Sequence, residues 1–127
     1  MDEEFSLWLE KAKESMDDAI YSLKSHRYGL TAFCCQQALE KIFKAAGVKL
    51  KNKRPRKIHD LLPLLTDSGL EPQEKYITEI AKISKFYFLV RYPDINRKFF
   101  ATAAIAKTTL EKTKEIYQWV ENKLKKL

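Results

Sequence analysis

Apolar residues recur along most of this chain at three- and four-residue steps, the spacing that gathers them on one side of an α-helix. From Phe5, the series Trp8, Leu9, Ala12, Met16, Ala19, Ile20 and Leu23 predicts a first amphipathic helix. It fades over Ser25 to Tyr28, with Gly29 in the turn that follows. The stretch Leu30 to Lys44, LTAFCCQQALEKIFK, predicts a second helix. At ~100° per residue, its Ala32, Cys34, Cys35, Ala38, Leu39, Ile42 and Phe43, with Ala45 and Ala46 beyond, fill about half the circumference. A surface helix needs less, so this one belongs at the centre of a bundle. The polar Gln36, Gln37, Glu40, Lys41 and Lys44 occupy an arc of about 140°. Taken alone, that stripe reads as a solvated face with a Glu40–Lys44 pair at i, i+4; a surface for a ligand or partner is the alternative. Gly47 is placed to end the helix as a C′ glycine.

From Val48 to Lys57 the chain carries Lys49, Lys51, Lys53, Arg54, Arg56 and Lys57, with Pro55 breaking regular structure, and reads as a basic loop. It is either a phosphate-attracting arm or a solvated connection. A short helix follows over Ile58 to Leu65, with His59 or Asp60 near its N-cap and Pro63 in the first turn, and Ser68-Gly69 ends it. A further helix is expected from near Pro72 toward Val90, with Tyr76, Ile77, Ile80, Ile83, Tyr87 and Val90 facing inward. Pro93 stops it at the turn Arg91-Tyr92-Pro93-Asp94. The final helix, from about Arg97, carries Phe99, Ala103, Ala106, Leu110, Thr113, Tyr117, Val120 and Leu124 on one seam, with Trp119 beside it. No segment alternates as a strand does. The expected fold is all-α, an antiparallel up-and-down four-helix bundle with an additional short helix, one domain over residues 1–127.

At 127 residues, with 45% hydrophobic content and only 3 Gly and 4 Pro, the chain can enclose one core without staples. The formal charge of +7 permits an acidic partner such as RNA or a nucleotide without requiring one. Cys34 and Cys35 are neighbours on the central helix, where a disulfide between them would be strained; they read as buried thiols. No metal or cofactor is expected, and a reducing cytoplasm is the natural compartment. The acidic, amphipathic start lacks the basic and apolar regions of a signal peptide, and no stretch is long and apolar enough for a bilayer.

Four features then stand in order: AxFCCQQALEKIFKA, the basic loop, Ile58-His59-Asp60-Leu61, and Arg91-Tyr92-Pro93-Asp94. Together they resemble the HEPN domain (higher eukaryotes and prokaryotes nucleotide-binding), from the region of Trp8 to Trp119-Val120. The resemblance implies a small prokaryotic helical bundle and a homodimer. It also implies a partner, a nucleotidyltransferase of the MNT type, in an arrangement of the toxin–antitoxin kind.

Many HEPN proteins are metal-independent ribonucleases that carry an Arg, a polar residue, and a His four to six places after the Arg. The His moves a proton for attack by the RNA 2′-hydroxyl, and the Arg stabilises charge on the phosphate. Here Arg91 is followed by Tyr92, and Ile95, Asn96, Arg97 and Lys98 stand where the His belongs. Arg54 and His59 match the bare spacing but lie in the basic loop. The resemblance so qualified implies a module that binds a nucleotide or RNA, or regulates, without the usual cleavage. The alternative is a divergent endoribonuclease toxin using Arg91 with His59 or Tyr92 as proton carrier. It singles out Gln36, Gln37, Glu40 and Lys44 of the stripe, Arg91, Tyr92 and Asp94 of the turn, and His59. All are expected around one hollow, with Tyr87 beside them. Read without the family, His59 is a cap or packing histidine lacking any base nearby, and Arg91 pairs with Asp94 while Asp94 or Asn96 caps the final helix.

Overall fold

In the computed structural model of this protein, which describes residues 2–125, helix α2 (Tyr28–Lys51) is the axis of the molecule. Helices α1 (Asp2–Lys24), α3 (Leu61–Ser68), α4 (Glu74–Ser84), α5 (Phe86–Leu89) and α7 (Ala103–Lys125) all pack against it, and α6 (Pro93–Phe99) leads into α7. The architecture is an antiparallel four-helix bundle of α1, α2, α4 continued by α5, and α7. The short α3 is inserted into it, and α6 is a second short helix. Among the described residues there is no strand.

The predicted apolar face of α2 is the core: Ala32, Cys35, Ala38, Leu39, Ile42, Phe43, Ala45 and Ala46 are fully or almost fully buried. Each of Leu39, Ile42 and Phe43 contributes about 1.5–3 kcal/mol of transfer free energy. Met16 and Ala19 from α1, Leu61 and Leu64 from α3, Ile80 and Ile83 from α4, and Ile116 and Val120 from α7 close around them. Near the α1–α2 connection, a buried hydroxyl pair joins Ser22 Oγ to Thr31 Oγ1 at 2.9 Å.

Several boundaries depart from the sequence expectation. The chain reverses over Ser25–Arg27, with His26 in the left-handed region at φ 61°, and Gly29 lies in the first turn of α2. A β-carbon on Gly29 would run into the Asn96 side chain, so this glycine serves the approach of α6. Nor does α2 stop at Gly47. It runs one more turn to Lys51, where Asn52 adopts φ 52° and its N–H bonds to the Val48 carbonyl. Asparagine tolerates that conformation well, and it closes the helix as a glycine would. The basic loop therefore begins at Asn52.

Pro72 lies just before α4 rather than within it, because the amides of Tyr76 and Ile77 bond to the carbonyl of Gln73 and make Gln73 the N-cap. Of the expected inner stripe of α4, Tyr76, Ile80 and Ile83 are buried, whereas Ile77 is exposed. The final helix is interrupted. Phe100, at φ −120° and ψ 24°, leaves the helix, is buried and meets Phe86 edge to face at 5.7 Å; α7 resumes at Ala103. Phe99, assigned to the seam, is exposed, while Ala106, Leu110, Thr113, Tyr117, Val120 and Leu124 are buried as expected.

Candidate functional site

The polar stripe of α2 is not a solvated face. Gln36 is fully buried, and Glu40 and Lys44 are 4% and 6% exposed. They are covered because the segment ahead of α3 and the start of α1 lie across them, an arrangement a single-helix wheel cannot display. At the centre is Glu40. Its Oε2 accepts from Lys44 Nζ at 3.2 Å, and its Oε1 lies 3.0 Å from His59 Nδ1. A carboxylate offers only acceptors, so His59 donates from Nδ1; Nε2 makes no hydrogen bond among the described residues. Gln36 Nε2 donates to the His59 carbonyl at 2.8 Å and to Glu40 Oε1 at 3.3 Å. Gln37 donates to Gln36 Oε1 at 2.7 Å and accepts from Lys41 Nζ at 2.7 Å. Burial lowers the Lys41 ammonium below the ordinary lysine range, partly offset by the nearby Glu40.

His59 thus has the partner that sequence reading denied it. Its ring also stacks on Tyr87 at 4.0 Å with an interplanar angle of 17°. The Arg91 guanidinium lies over the same phenol at 4.1 Å and 5.8 Å from the Phe33 ring. The Tyr87 ring thus packs against both the His59 imidazole and the Arg91 guanidinium. Beside this stack a cavity of about 300 Å³ opens, lined by His59, Asp60, Leu62, Ala81, Ser84, Lys85, Tyr87 and Phe88.

The segment carrying His59 is fixed from α4. Ser84 Oγ accepts from the Leu61 N–H at 2.9 Å and donates to Asp60 Oδ1 at 3.0 Å, so a hydroxyl from another helix caps α3. Asp60 occupies the N-cap position, but its side chain makes no capping bond.

The expected residues therefore fall into two groups. Gln36, Gln37, Glu40, His59 and Arg91 are joined through hydrogen bonds and the Tyr87 stack. Lys44 touches the same Glu40, and its ammonium lies 5.1 Å from the Trp8 ring of α1. Among the described residues Lys44 is connected to Arg91 only through Glu40, His59 and Tyr87. Tyr92 and Asp94 are exposed, and among the described residues no ion pair joins Arg91 to Asp94. Tyr92 is the N-cap of α6, and Asn96 spends its side chain on the Val90 carbonyl. Phe33, Trp8 and Ser84 were missed. Phe33 had a signal: three and four residues before Gln36 and Gln37, it is an aromatic set into a polar face. Trp8 and Ser84 arrive from other helices and had none.

Among the described residues no three His, Cys, Asp or Glu side chains gather as metal ligands, and no helix is long and apolar enough to cross a membrane. Burial pushes the Cys34 thiol up to about 11 and the Cys35 thiol up to about 12, so neither is poised as a nucleophile.

Among curated proteins none matches the sequence. Among solved structures, the chain is similar to that described as TT1696 from Thermus thermophilus, with 28% identity and a TM-score of 0.80 over 94% of this chain and 97% of that one. The HEPN domain family matches residues 5–123, from the second turn of α1 to the last turns of α7. The chain belongs to the HEPN domain family.

Proposed function

We propose that this HEPN domain, acting as one unit over its 127 residues, is a binding and regulatory module. It engages the phosphate and base of a nucleotide or RNA at the His59–Tyr87–Arg91 stack and does not cleave the RNA. On this reading it works in the cytoplasm of a prokaryote as a homodimer, paired with an MNT-type nucleotidyltransferase in a toxin–antitoxin-like arrangement. The observation that carries the reading is the surroundings of Arg91. Its guanidinium rests on Tyr87 and Phe33, a cationic and aromatic pair suited to phosphate and base. The positions of the family's proton carrier hold Ile95, Asn96, Arg97 and Lys98, and the Asn96 amide is committed to the Val90 carbonyl. The His59 imidazole packs on the same Tyr87 ring as Arg91.

Labelled single-stranded RNA tests this. It stays full length with the purified protein while binding it, and Arg91→Ala and Tyr87→Ala each weaken binding about tenfold or more. Mixed with an MNT-type nucleotidyltransferase from the same genome, the protein co-elutes with it as one complex. Degradation of the RNA that Arg91→Ala abolishes would overturn the reading.

One observation favours a second reading, a divergent metal-independent endoribonuclease. His59 Nδ1 on the Glu40 carboxylate is the arrangement that orients an imidazole for proton transfer from Nε2, and the His59 side chain is 48% exposed. Cleavage lost in both His59→Ala and Arg91→Ala would establish it.

A further inference from the structure

A second cavity, of about 180 Å³, lies between α2, α3 and the basic loop, away from the Tyr87 stack. Its apolar wall is Phe43, Pro55 and Leu64, and Gly47 leaves room at the base. Four cations line it, Lys44, Lys53, Arg54 and Arg56, against one carboxylate, Asp67. Arg56 already grips Asp67 with two hydrogen bonds, at 2.7 and 3.2 Å. Lys44 gives one of its three N–H groups to Glu40 and has no other hydrogen-bond acceptor among the described residues. With Asp67 and Glu40 both counted, the recess holds two cations in excess. Outside it, Glu4 stands 3.7 Å from Arg54, whose side chain is 86% exposed; so loose a pair leaves Arg54 free to turn inward.

We propose that this recess receives the terminal phosphate of a phosphomonoester. The excess of two cations matches a dianion, and the apolar wall strengthens its attraction to Lys44. The volume, about 180 Å³, is well below the roughly 300–1,000 Å³ of a drug-sized site. It admits a phosphoryl group and leaves a nucleoside outside. Free mononucleotides and the 5′-phosphate end of an RNA share that chemistry. This site is separate from the one assigned above and stands or falls independently of it.

Titration with AMP, adenosine, and a short RNA bearing either a 5′-phosphate or a 5′-hydroxyl, followed by amide chemical shifts, tests the inference. AMP shifts the amides of Gly47, Lys53 and Leu64, and adenosine does not. Lys53→Ala and Arg54→Ala, both at exposed positions that leave the core intact, each weaken AMP about tenfold, whereas Lys112→Ala on the outer face of α7 has no effect. Lys44→Met abolishes the response, but it also strands Glu40, so the two rim variants carry the test. Binding of the 5′-phosphorylated RNA at the same amides extends the ligand to RNA ends; its failure beside AMP binding restricts it to free nucleotides. If adenosine or the 5′-hydroxyl RNA binds as well as its phosphorylated counterpart, or if AMP shifts only His59, Tyr87 and Arg91, the proposal is wrong.

Discussion

Glu40 and His59, nineteen residues apart, meet at 3.0 Å, and the other oxygen of the same carboxylate holds Lys44. One buried acid therefore ties the half-exposed histidine of one cavity to the buried lysine of another.

Removing that acid strands Lys44 in the interior. Glu40→Ala is expected to cost about 3–5 kcal/mol, a fall in Tm on the order of 10–20 °C. The double variant Glu40→Leu/Lys44→Met replaces both charges by apolar side chains and is expected within about 1–2 kcal/mol of the parent. Thermal denaturation of the three proteins checks this; a single variant as stable as the parent would show that the pair has no structural weight.

Two glycines should respond oppositely to the same substitution. A β-carbon at Gly47 would meet the Ser68 Cα at 3.8 Å, an ordinary contact, so Gly47→Ala is expected to stabilise by about 0.4–1 kcal/mol. Gly69 closes α3 at φ 79°, and Gly69→Ala is expected to destabilise by about 1 kcal/mol or more. Urea midpoints for both variants settle the signs.

The hydroxyl of Ser84 serves both the α3 N-terminus and Asp60. Ser84→Ala should cost about 0.5–2 kcal/mol, the usual loss of a helix cap. Hydrogen exchange should show the lost protection concentrated at Leu61 and the residues of α3 rather than spread over α7.

Stability is expected to fall at alkaline pH. Cys34 and Cys35 titrate at about 11 and about 12 in the folded protein against 9.0 when unfolded, and Tyr117 at about 12 against 10.0, all chiefly through burial. Above pH 9 the unfolded chain releases thiol protons that the folded chain keeps. Each thiol then removes stability at about 1.4 kcal/mol per pH unit until its folded pKa is reached. Lys41 works the other way: its lowered pKa makes the unfolded state the better proton binder, so its contribution rises with pH just below 10.5. Three groups oppose one. Urea unfolding at about pH 8 and about pH 10.5 should show the loss, and Cys35→Ala should reduce the slope.

The helices and their apolar faces were legible because period is a local matter: every apolar residue that the α2 wheel marks is buried, although Gln36, Glu40 and Lys44 of its polar stripe are buried as well. Glu40 was legible as polar but not as interior, because the Gln36–His59 and Glu40–His59 bonds that roof it come from a segment nineteen or more residues away. The interruption at Phe100 carries no Pro or Gly; it coincides with the contact to Phe86, a tertiary event that no local pattern marks. Arg91 was found through the family pattern, whereas its seat on Tyr87 and Phe33 needed coordinates.

The three-residue reversal between α1 and α2 has a kinetic consequence. Pairing those two helices closes a very short loop, while α7 reaches α2 only after some fifty intervening residues, so the N-terminal hairpin is the least costly nucleus. That hairpin emerges from a ribosome with Gln36 and Glu40 still hydrated. Docking of the His59 segment then removes them from water.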